Sequence, residues 1–457
     1  MFFKKKQNTI EWLNAQLGSS RDIVNQQLYA EHNKAKIFYI KSLCDDQQIN
    51  KLFIDPFYEE SSKQYKNYLH SLHNKKQNKS NGEILTDVLN GTLVMIMENE
   101  VYLFDVQKVI NNTISESTVE TVIQGPQNAL TEHVYTNLNL VRNRYPQPSL
   151  RVEETKVGLV SQTKTMIVYD KRLVHTAVLE EMRQSLEKVD VDMIQAAGEL
   201  SKGLTKSKKT LFPTMMITER PDRIAQNIAQ GKVVLLIDGT PFALIAPAVF
   251  YDFMSSMEDV YQAFWISRFI VTLRYIGLFI SLSLPAVYVG VTAYNPELFR
   301  VQLALSIAGS RVGVPYPAYL EVFLMLIMME LLTEASVRLP KAIGSTATTV
   351  GGLILGQAAV EAGLVSNVMI IIVAAVAISN FVIPINAMSF AMRVTKYVLL
   401  AFTTFFGMVG LVFSFILLIA YLANLDSFGE PYLKIFFLSN SKEAKLAKQK
   451  KKEAQTN

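Results

Sequence analysis

Residues 263–291 read AFWISRFIVTLRYIGLFISLSLPAVYVGV, and this stretch decides the fold of the chain. A run of about 20 mostly apolar residues is long enough to cross a bilayer as a helix, and this run exceeds that length. Up to about Ser256 the sequence is charged like that of a soluble protein, whereas residues 263–425 form a series of long apolar runs. The change of composition near Trp265 therefore predicts a soluble N-terminal head followed by a membrane region.

The second part of the chain holds about five candidate membrane spans, of the length that a bilayer requires. These apolar runs are residues 263–291, 318–339, 345–363, 364–385 and 397–425, while residues 301–313 are too short to span. We predict an α/β or α+β two-lobed soluble head followed by a polytopic α-helical membrane domain of about five spans. The predicted domains are residues 1–62 and 83–250 for the head, 263–425 for the membrane domain and 426–457 for a basic tail. Five spans would leave this Lys-rich tail on the side opposite the head, against the usual preference of Lys and Arg for the cytoplasmic side.

Short runs of β-branched and aromatic residues in the head predict strands, and stretches with helical spacing lie between them. The predicted strands are Lys36–Ile40, Leu93–Met97, Val101–Phe104, Thr165–Tyr169, Val233–Ile237 and Phe242–Ile245. Asp238-Gly239 between the last two strands is a strong hairpin signal. The predicted helices are Thr131–Arg142, with Thr131 as N-cap, Leu173–Leu186, and Pro221–Gln230, with proline in its first turn.

The sequence has no phosphate-binding glycine loop, nucleophile elbow or Ser/His/Asp set, which argues against an enzyme, and its basic clusters lack the interleaved aromatic residues typical of nucleic-acid binding. The chain carries a net charge of +5 and one cysteine, Cys44, so it cannot form an internal disulfide. The head is expected to stay cytoplasmic, because the basic N-terminus has no apolar segment behind it. His70 and His73 have metal-ligand spacing, but they lie in a Lys-rich stretch without supporting ligands. We therefore expect no catalytic residues, no cofactor and no metal.

Carboxylates embedded in the apolar runs are the candidate functional residues. A charged group within a membrane segment usually faces a bundle interior, a partner charge or a water-filled path. In residues 318–339, Glu330, Glu334 and Arg338 share one helical face, and Glu334 and Arg338 have the spacing of an ion pair. Glu330 lacks such a neighbour. It forms an interhelical ion pair, for which the candidate partners are Arg311, Arg274 and Arg393, or it lines or gates an ion path.

Other polar and small residues complete the candidate set. Ser379 and Asn380 are polar residues within an apolar run and are candidates for the same polar path. Small residues on residues 345–363 allow close helix packing or line a narrow pore; they are Gly352, Gly356, Ala359 and Gly363. Glu361 is a packing or pore-mouth residue on this interpretation. Glu321, in a first turn after a proline, is expected only to favour the helix dipole.

Several blocks of the sequence resemble the A subunits of GerA-type spore germinant receptors. They agree in order and spacing over roughly residues 20–433, and include TERPDR at 218–223, GKVVLLIDGTPF at 231–242, GVPYP at 313–317, GQAAVEAGLVS at 356–366 and SFGEPYL at 427–433. The chain departs from the family pattern at residues 127–129, at Thr333 and at Asn367. These departures bear on charge pairing and not on membership.

The resemblance implies a multi-pass protein of the spore inner membrane with its soluble head on the core side. Such A subunits assemble with a multi-span B subunit, which is held to recognise nutrients, and with a lipoprotein C subunit. They are thought to form homo-oligomers around a cation-conducting path that triggers germination, in contact with membrane lipids and without nucleic acid. Two other interpretations stay open: a non-conducting scaffold or amplifier, and a secondary transporter, against which the absence of a convincing internal repeat counts.

Overall fold

The fold is taken from a computed structural model, which describes residues 4–18, 20–30, 33–72, 75–76, 80–98, 100–108, 116–205, 210–339 and 341–434. The chain divides into two compact units. The sheet unit comprises residues 1–209, 214–248 and 427–430, and the helical unit comprises residues 210–213, 249–426 and 431–457.

The sheet unit contains two five-stranded sheets with antiparallel strand pairs. Sheet 1 has the order β1-β2-β4-β5-β3 and sheet 2 the order β6-β7-β9-β10-β8. The strands are β1 (Ile23–Ala30), β2 (Asn33–Ile40), β3 (Lys75–Lys76), β4 (Thr92–Met97), β5 (Glu100–Asp105), β6 (Leu150–Val157), β7 (Thr163–Asp170), β8 (Met216–Thr218), β9 (Val233–Ile237) and β10 (Ala243–Ala246), and after the helical unit come β11 (Asp426–Ser427) and β12 (Glu430–Pro431). A mixed α and β head is thus confirmed. Strands β1 and β2 precede residues 63–82 and strands β4 and β5 follow them, and all four belong to sheet 1. The domain boundary predicted between residues 62 and 83 therefore lies within the sequence that forms this one sheet.

Helices cover both faces of each sheet. The helices of the sheet unit are α1 (Lys4–Leu17), α2 (Asp46–Ile49), a π-helical turn (Asn50–Ile54), α3 (Asp55–Glu59), α4 (Ser62–Ser71), α5 (Asn81–Leu89), α6 (Val134–Arg144), α7 (Thr176–Glu187), α8 (Ala197–Leu204) and α9 (Pro221–Ala229). Side chains of a strand alternate between its two faces. Accordingly Leu93 and Met95 of β4 pack with Phe53 and Tyr65 on one face, while Val94 packs with α1 and α5 on the other.

Two local predictions for the head have different outcomes. The hairpin at Asp238-Gly239 is confirmed, because β9 and β10 pair antiparallel around it. Thr131 is not the N-cap of α6: His133 occupies that position, and the Thr131 hydroxyl accepts a hydrogen bond from the His133 N–H at 3.3 Å. The helix starts later than predicted because the Asn137 side chain holds the Thr131 backbone outside it. The Asn137 amide oxygen accepts from the Thr131 N–H, and the Asn137 amide nitrogen donates to the Thr131 carbonyl oxygen.

The helical unit consists of short and long helices connected by tight turns. They are α10 (Phe250–Met254), α11 (Glu258–Tyr261), α12 (Phe264–Ala293), a 3₁₀ turn (Pro296–Leu298), α13 (Val301–Ser310), α14 (Ala318–Arg338), α15 (Lys341–Glu361), α16 (Asn367–Phe381) and α17 (Asn386–Asn424). Within the described residues, α12 and α17 are the two helices both long and apolar enough to cross a membrane, and α13 and α16 are shorter apolar helices. Backbone angles at Gly407 (φ 63°, ψ −148°) interrupt α17.

Candidate functional site

Glu330 on α14 forms the centre of a charged cluster in the helical unit. Its carboxylate is hydrogen-bonded to the Arg393 guanidinium and lies 3.3 Å from the Lys396 ammonium nitrogen, both on α17. The Lys396 side chain is only 2% exposed, so the Glu330 carboxylate, and not water, stabilises its ammonium charge. Arg393 was one of the three candidate partners of Glu330, and the interhelical ion pair is the arrangement that the structure has. Arg274 instead pairs with Asp259.

A cavity of about 60 Å³ adjoins this cluster. Its polar lining consists of Glu330, Thr333, Asn380, Ser389, Arg393 and Lys396. Two cations and one carboxylate among these residues give the lining a formal charge of +1. This charge disfavours a passing cation, and the pairing of Glu330 with Arg393 and Lys396 links α14 to α17.

Asn380 and Ser379 occupy different environments although they are neighbours in sequence. Asn380 lines the cavity, and its side-chain oxygen accepts a hydrogen bond from the Ser281 hydroxyl of α12. Ser379 is buried, and its backbone oxygen lies where α16 approaches Gly277 of α12. Of these two members of the predicted polar path, the structure therefore brings only Asn380 to the Glu330 cluster.

Glu334 and Arg338 form the predicted ion pair at i, i+4, with a nitrogen–oxygen distance of 2.9 Å. Their side chains are 65% and 78% exposed. Exposed pairs of this kind contribute little to stability, because solvent screens the charges. The predicted stripe of three residues thus separates into a partly buried Glu330 and an exposed pair.

Glu321 has a larger structural part than the sequence indicated, and the prediction of a helix-dipole role alone was wrong. Its side chain is fully buried, and one oxygen accepts hydrogen bonds from the N–H and the hydroxyl of Ser366 at 2.7 and 2.6 Å. Arg311 lies 3.2 Å from the other oxygen. The carboxylate therefore holds the start of α16 and the end of α13 against α14. These partners are 45 and 10 residues away in sequence, where helical spacing gives no signal.

The small residues of α15 face the other helices of the same chain. A Cβ at Gly352 would lie 3.4 Å from Leu332 of α14, and one at Gly356 would lie 3.8 Å from Ile370 of α16. Ala359 is buried in the core of the helical unit. Gly363 has a positive φ of 66°, and a Cβ there would lie 3.1 Å from the Gly313 carbonyl oxygen, so a turn requires this glycine. Glu361 is exposed.

The block at residues 218–223 clamps a surface loop in the sheet unit. Glu219 accepts hydrogen bonds from the backbone N–H groups of Val119 and Glu120 at 2.6 and 3.1 Å. Arg220 is buried, pairs with Asp222 at 2.7 Å and donates to two backbone carbonyls of the loop. The block thus fixes the loop around residues 116–126 by satisfying its buried polar groups.

A second buried ion pair ties α6 to the start of sheet 1. The Arg142 Nε lies 2.6 Å from the Asp22 carboxylate, which also accepts from the Ser20 and Ser42 hydroxyls. Burial raises the pKa of Asp22, but the charge and hydrogen bonds of Arg142 and the serine hydroxyls outweigh this effect and lower the pKa below its usual value. Asp22 is therefore ionised wherever the protein is folded near neutral pH.

Metal ligands are not grouped in the part of the chain that the structure describes: no set of three or more His, Cys, Asp or Glu residues is placed to hold an ion. His73 of the predicted His70/His73 pair lies outside the described residues. The His70 ring stacks edge-on against Tyr102.

The architecture defines a class of protein: an N-terminal α/β region followed by a helical region with apolar helices of membrane-spanning length and internal ion pairs. The chain belongs to the Bacillus/Clostridium GerA spore germination protein family, whose family model matches residues 11–452. Spore germination protein KA of Bacillus subtilis (strain 168) is 35% identical over 430 residues, 92% of this chain and 79% of the relative. Spore germination protein B1 of the same organism is 31% identical over 439 residues, 93% of this chain and 90% of the relative.

A solved structure also matches. It is the crystal structure of the N-terminal domain of the A subunit of the Bacillus megaterium spore germinant receptor GerK3, at 25% identity and a TM-score of 0.38. The match covers 53% of this chain and 94% of that chain.

Proposed function

We propose that this chain is the A subunit of a nutrient-responsive spore germination receptor, and that it has no enzymatic activity. The observation that carries the proposal is the family match over residues 11–452. The helical unit lies in the spore inner membrane and the sheet unit on the core side. Large apolar side chains exposed on α12 and α17, such as Phe269, Phe279, Phe405 and Val409, support this placement, because they suit contact with lipid.

A multi-span B subunit and a lipoprotein C subunit are the proposed partners, and copies of the chain assemble into a ring around a cation path. One exposed face of α15 supports the assembly. Its members recur at helical spacing and are Val350, Leu353, Ile354, Gln357, Ala358 and Glu361. Leu353 and Ile354 are about 60% exposed in the single chain, and membrane helices associate through packing surfaces of this kind.

Glu361 is the proposed pore-mouth residue of this ring. A ring of carboxylates attracts cations, whereas the net positive cavity beside Glu330 repels them. Gly352, Gly356 and Ala359 then serve the packing of α15 within the chain. On this proposal Glu361 acts at the pore mouth, whereas Glu330 acts in an ion pair between helices of one chain.

Ion flux through the full complex tests the proposal. In proteoliposomes that hold all three subunits, nutrient should release monovalent cations, and Glu361→Gln should lower the cation flux without loss of assembly. Glu334→Gln, on the exposed face of α14, is the matched control and should leave the flux unchanged. Absence of nutrient-dependent flux, under conditions where the same complex supports germination, would contradict the conducting role.

The second candidate is a non-conducting scaffold or amplifier that transmits the signal to another channel. The internal pairing of Glu321 and Glu330 favours it, since tied charges lock helices together. Glu361→Gln distinguishes the two, because Glu361 is exposed and, among the described residues, makes no packing contact that the charge must hold. A pore predicts a lower cation flux in this variant, and a scaffold predicts that flux and assembly stay unchanged.

A further inference from the structure

The cavity beside Glu330 has an excess of positive charge that its own residues do not neutralise. Arg393 and Lys396 share the single carboxylate of Glu330, and the other described lining residues are uncharged. Lys396 is almost fully buried. The Tyr397 ring centroid lies 5.1 Å from the Lys396 nitrogen and Arg393 is partly exposed, but the described lining holds one carboxylate for two cations. An anion would complete the compensation of the buried Lys396 charge.

Hydrogen-bond donors also exceed acceptors at this cavity. The Asn380 side-chain oxygen is occupied by the Ser281 hydroxyl, and the Ser389 hydroxyl donates to the Asn380 backbone oxygen. Among the described residues, the Asn380 amide nitrogen donates no hydrogen bond. The cavity therefore offers an amide donor and two cations, and this combination suits an anionic ligand.

We propose that this cavity binds a small monovalent anion of chloride or carboxylate size. Lys396 and Arg393 supply the charge, and the Asn380 amide donates a hydrogen bond. The cavity volume of about 60 Å³ admits such an ion, because a single water needs roughly 10–15 Å³ on this measure. The bound anion neutralises the cluster and stabilises the contact of α14 with α17. This inference does not depend on whether the chain conducts ions.

Thermal unfolding of the full chain in detergent tests the site with chloride, acetate and gluconate as sodium salts at equal ionic strength. Gluconate is too large for the cavity and serves as the reference anion. A ligand that binds only the folded state raises the melting temperature, here by about 2–4 °C between 0 and 100 mM chloride. Acetate in place of chloride shows whether a carboxylate or a halide is the preferred occupant.

Two variants change the charge balance in opposite directions. Lys396→Met leaves one cation for one carboxylate and should abolish the chloride dependence. Glu330→Gln leaves two cations without a carboxylate and should lower the half-saturating chloride concentration by about tenfold or more. Arg300→Met removes an exposed cation of the same unit and should retain the wild-type dependence.

Bromide provides a direct measurement, because its anomalous scattering locates the ion in crystals of the full chain. An anomalous peak within reach of Lys396 and Arg393 supports the proposal. Equal melting temperatures of the wild type in chloride, acetate and gluconate overturn it, whether or not the variants fold. A chloride dependence that Lys396→Met retains also overturns it, since the ion would then bind elsewhere.

Discussion

Glu321→Gln is the substitution that most directly examines the interior of the helical unit. The exchange keeps the size of the side chain and removes its charge. The glutamine oxygen can still accept from Ser366, but these bonds lose their ionic character, which is worth about 1 kcal/mol each. The amide group would face Arg311, a donor against a donor, and would leave that cation without its partner.

The summed effect is a loss of about 3 kcal/mol of unfolding free energy, within the range of about 2–5 kcal/mol for breaking one side of a buried pair. For a unit of this size, 3 kcal/mol corresponds to a fall in melting temperature of about 6–12 °C. Thermal melts of the full chain in detergent, followed by circular dichroism, measure this fall in melting temperature. Removing both charges in Glu321→Gln/Arg311→Met should recover part of the loss, because Arg311 no longer remains uncompensated.

Glu334→Gln provides the matched control, since it removes the same charge from the same helix in an exposed pair. Its effect should stay below about 0.5 kcal/mol. Equal melting temperatures for Glu321→Gln and Glu334→Gln would refute the reasoning. If the double variant Glu321→Gln/Arg311→Met is no more stable than Glu321→Gln, the unpaired Arg311 charge is not the cause of the lost unfolding free energy.

Three further outcomes are expected. Asp22 has a lowered folded-state pKa, so its contribution is present above the unfolded value near 3.9 and is lost as the pH falls through the folded value; thermal melts of Asp22→Asn from pH 7 to pH 3 should show lower stability at neutral pH and a weaker acid dependence than the wild type. Cys44 is 1% exposed and burial raises its pKa to about 12, so alkylation followed by mass spectrometry should be at least about a thousandfold slower in the folded protein than in denaturant. Gly407→Ala should lower the melting temperature by an amount equivalent to about 1–3 kcal/mol, because φ is positive and the methyl group would meet the Tyr294 ring at 3.0 Å; Gly309→Ala, with open space around it, should be neutral or stabilising. The argument for Asp22 fails if the melting temperature of Asp22→Asn depends on pH as that of the wild type does. The argument for Cys44 fails if its alkylation is as fast in the folded protein as in denaturant, and the argument for Gly407 fails if Gly407→Ala and Gly309→Ala have the same melting temperature.

Local patterns predicted the elements well where strong turn residues bound them. The Asp238-Gly239 hairpin and the proline-started α9 are examples, because backbone preferences at these residues act over a few positions. The apolar run at residues 364–385 predicts one spanning helix, whereas α16 ends at Phe381 and α17 begins at Asn386. Pro384 separates them, since the residue before a proline avoids the helical conformation.

Partner choice in the candidate site was only partly predictable. The sequence indicated that Glu330 needs a cation, and three were available, but the choice of Arg393 depends on how α14 packs on α17. Lys396 was not assigned to the site, although its spacing of three from Arg393 places both on one helical face. Distant contacts such as Glu321 with Ser366 leave no periodic trace in the sequence.

Residues 427–430 return to the sheet unit and so constrain the course of residues 249–426, which lie between them and Ala248 in the sequence. Ser427 donates a hydrogen bond to the Thr214 backbone oxygen at 2.6 Å and accepts one from the Ala248 N–H at 2.9 Å, and Phe428 packs in the core of sheet 2. The chain thus leaves the sheet unit after Ala248 and is fastened into the same unit at Ser427. A segment that departs from and returns to one folded body on one side of a membrane must cross that membrane an even number of times. With the helical unit embedded as proposed, this parity favours four or six crossings over five, and Ser427 then lies on the same side as the head.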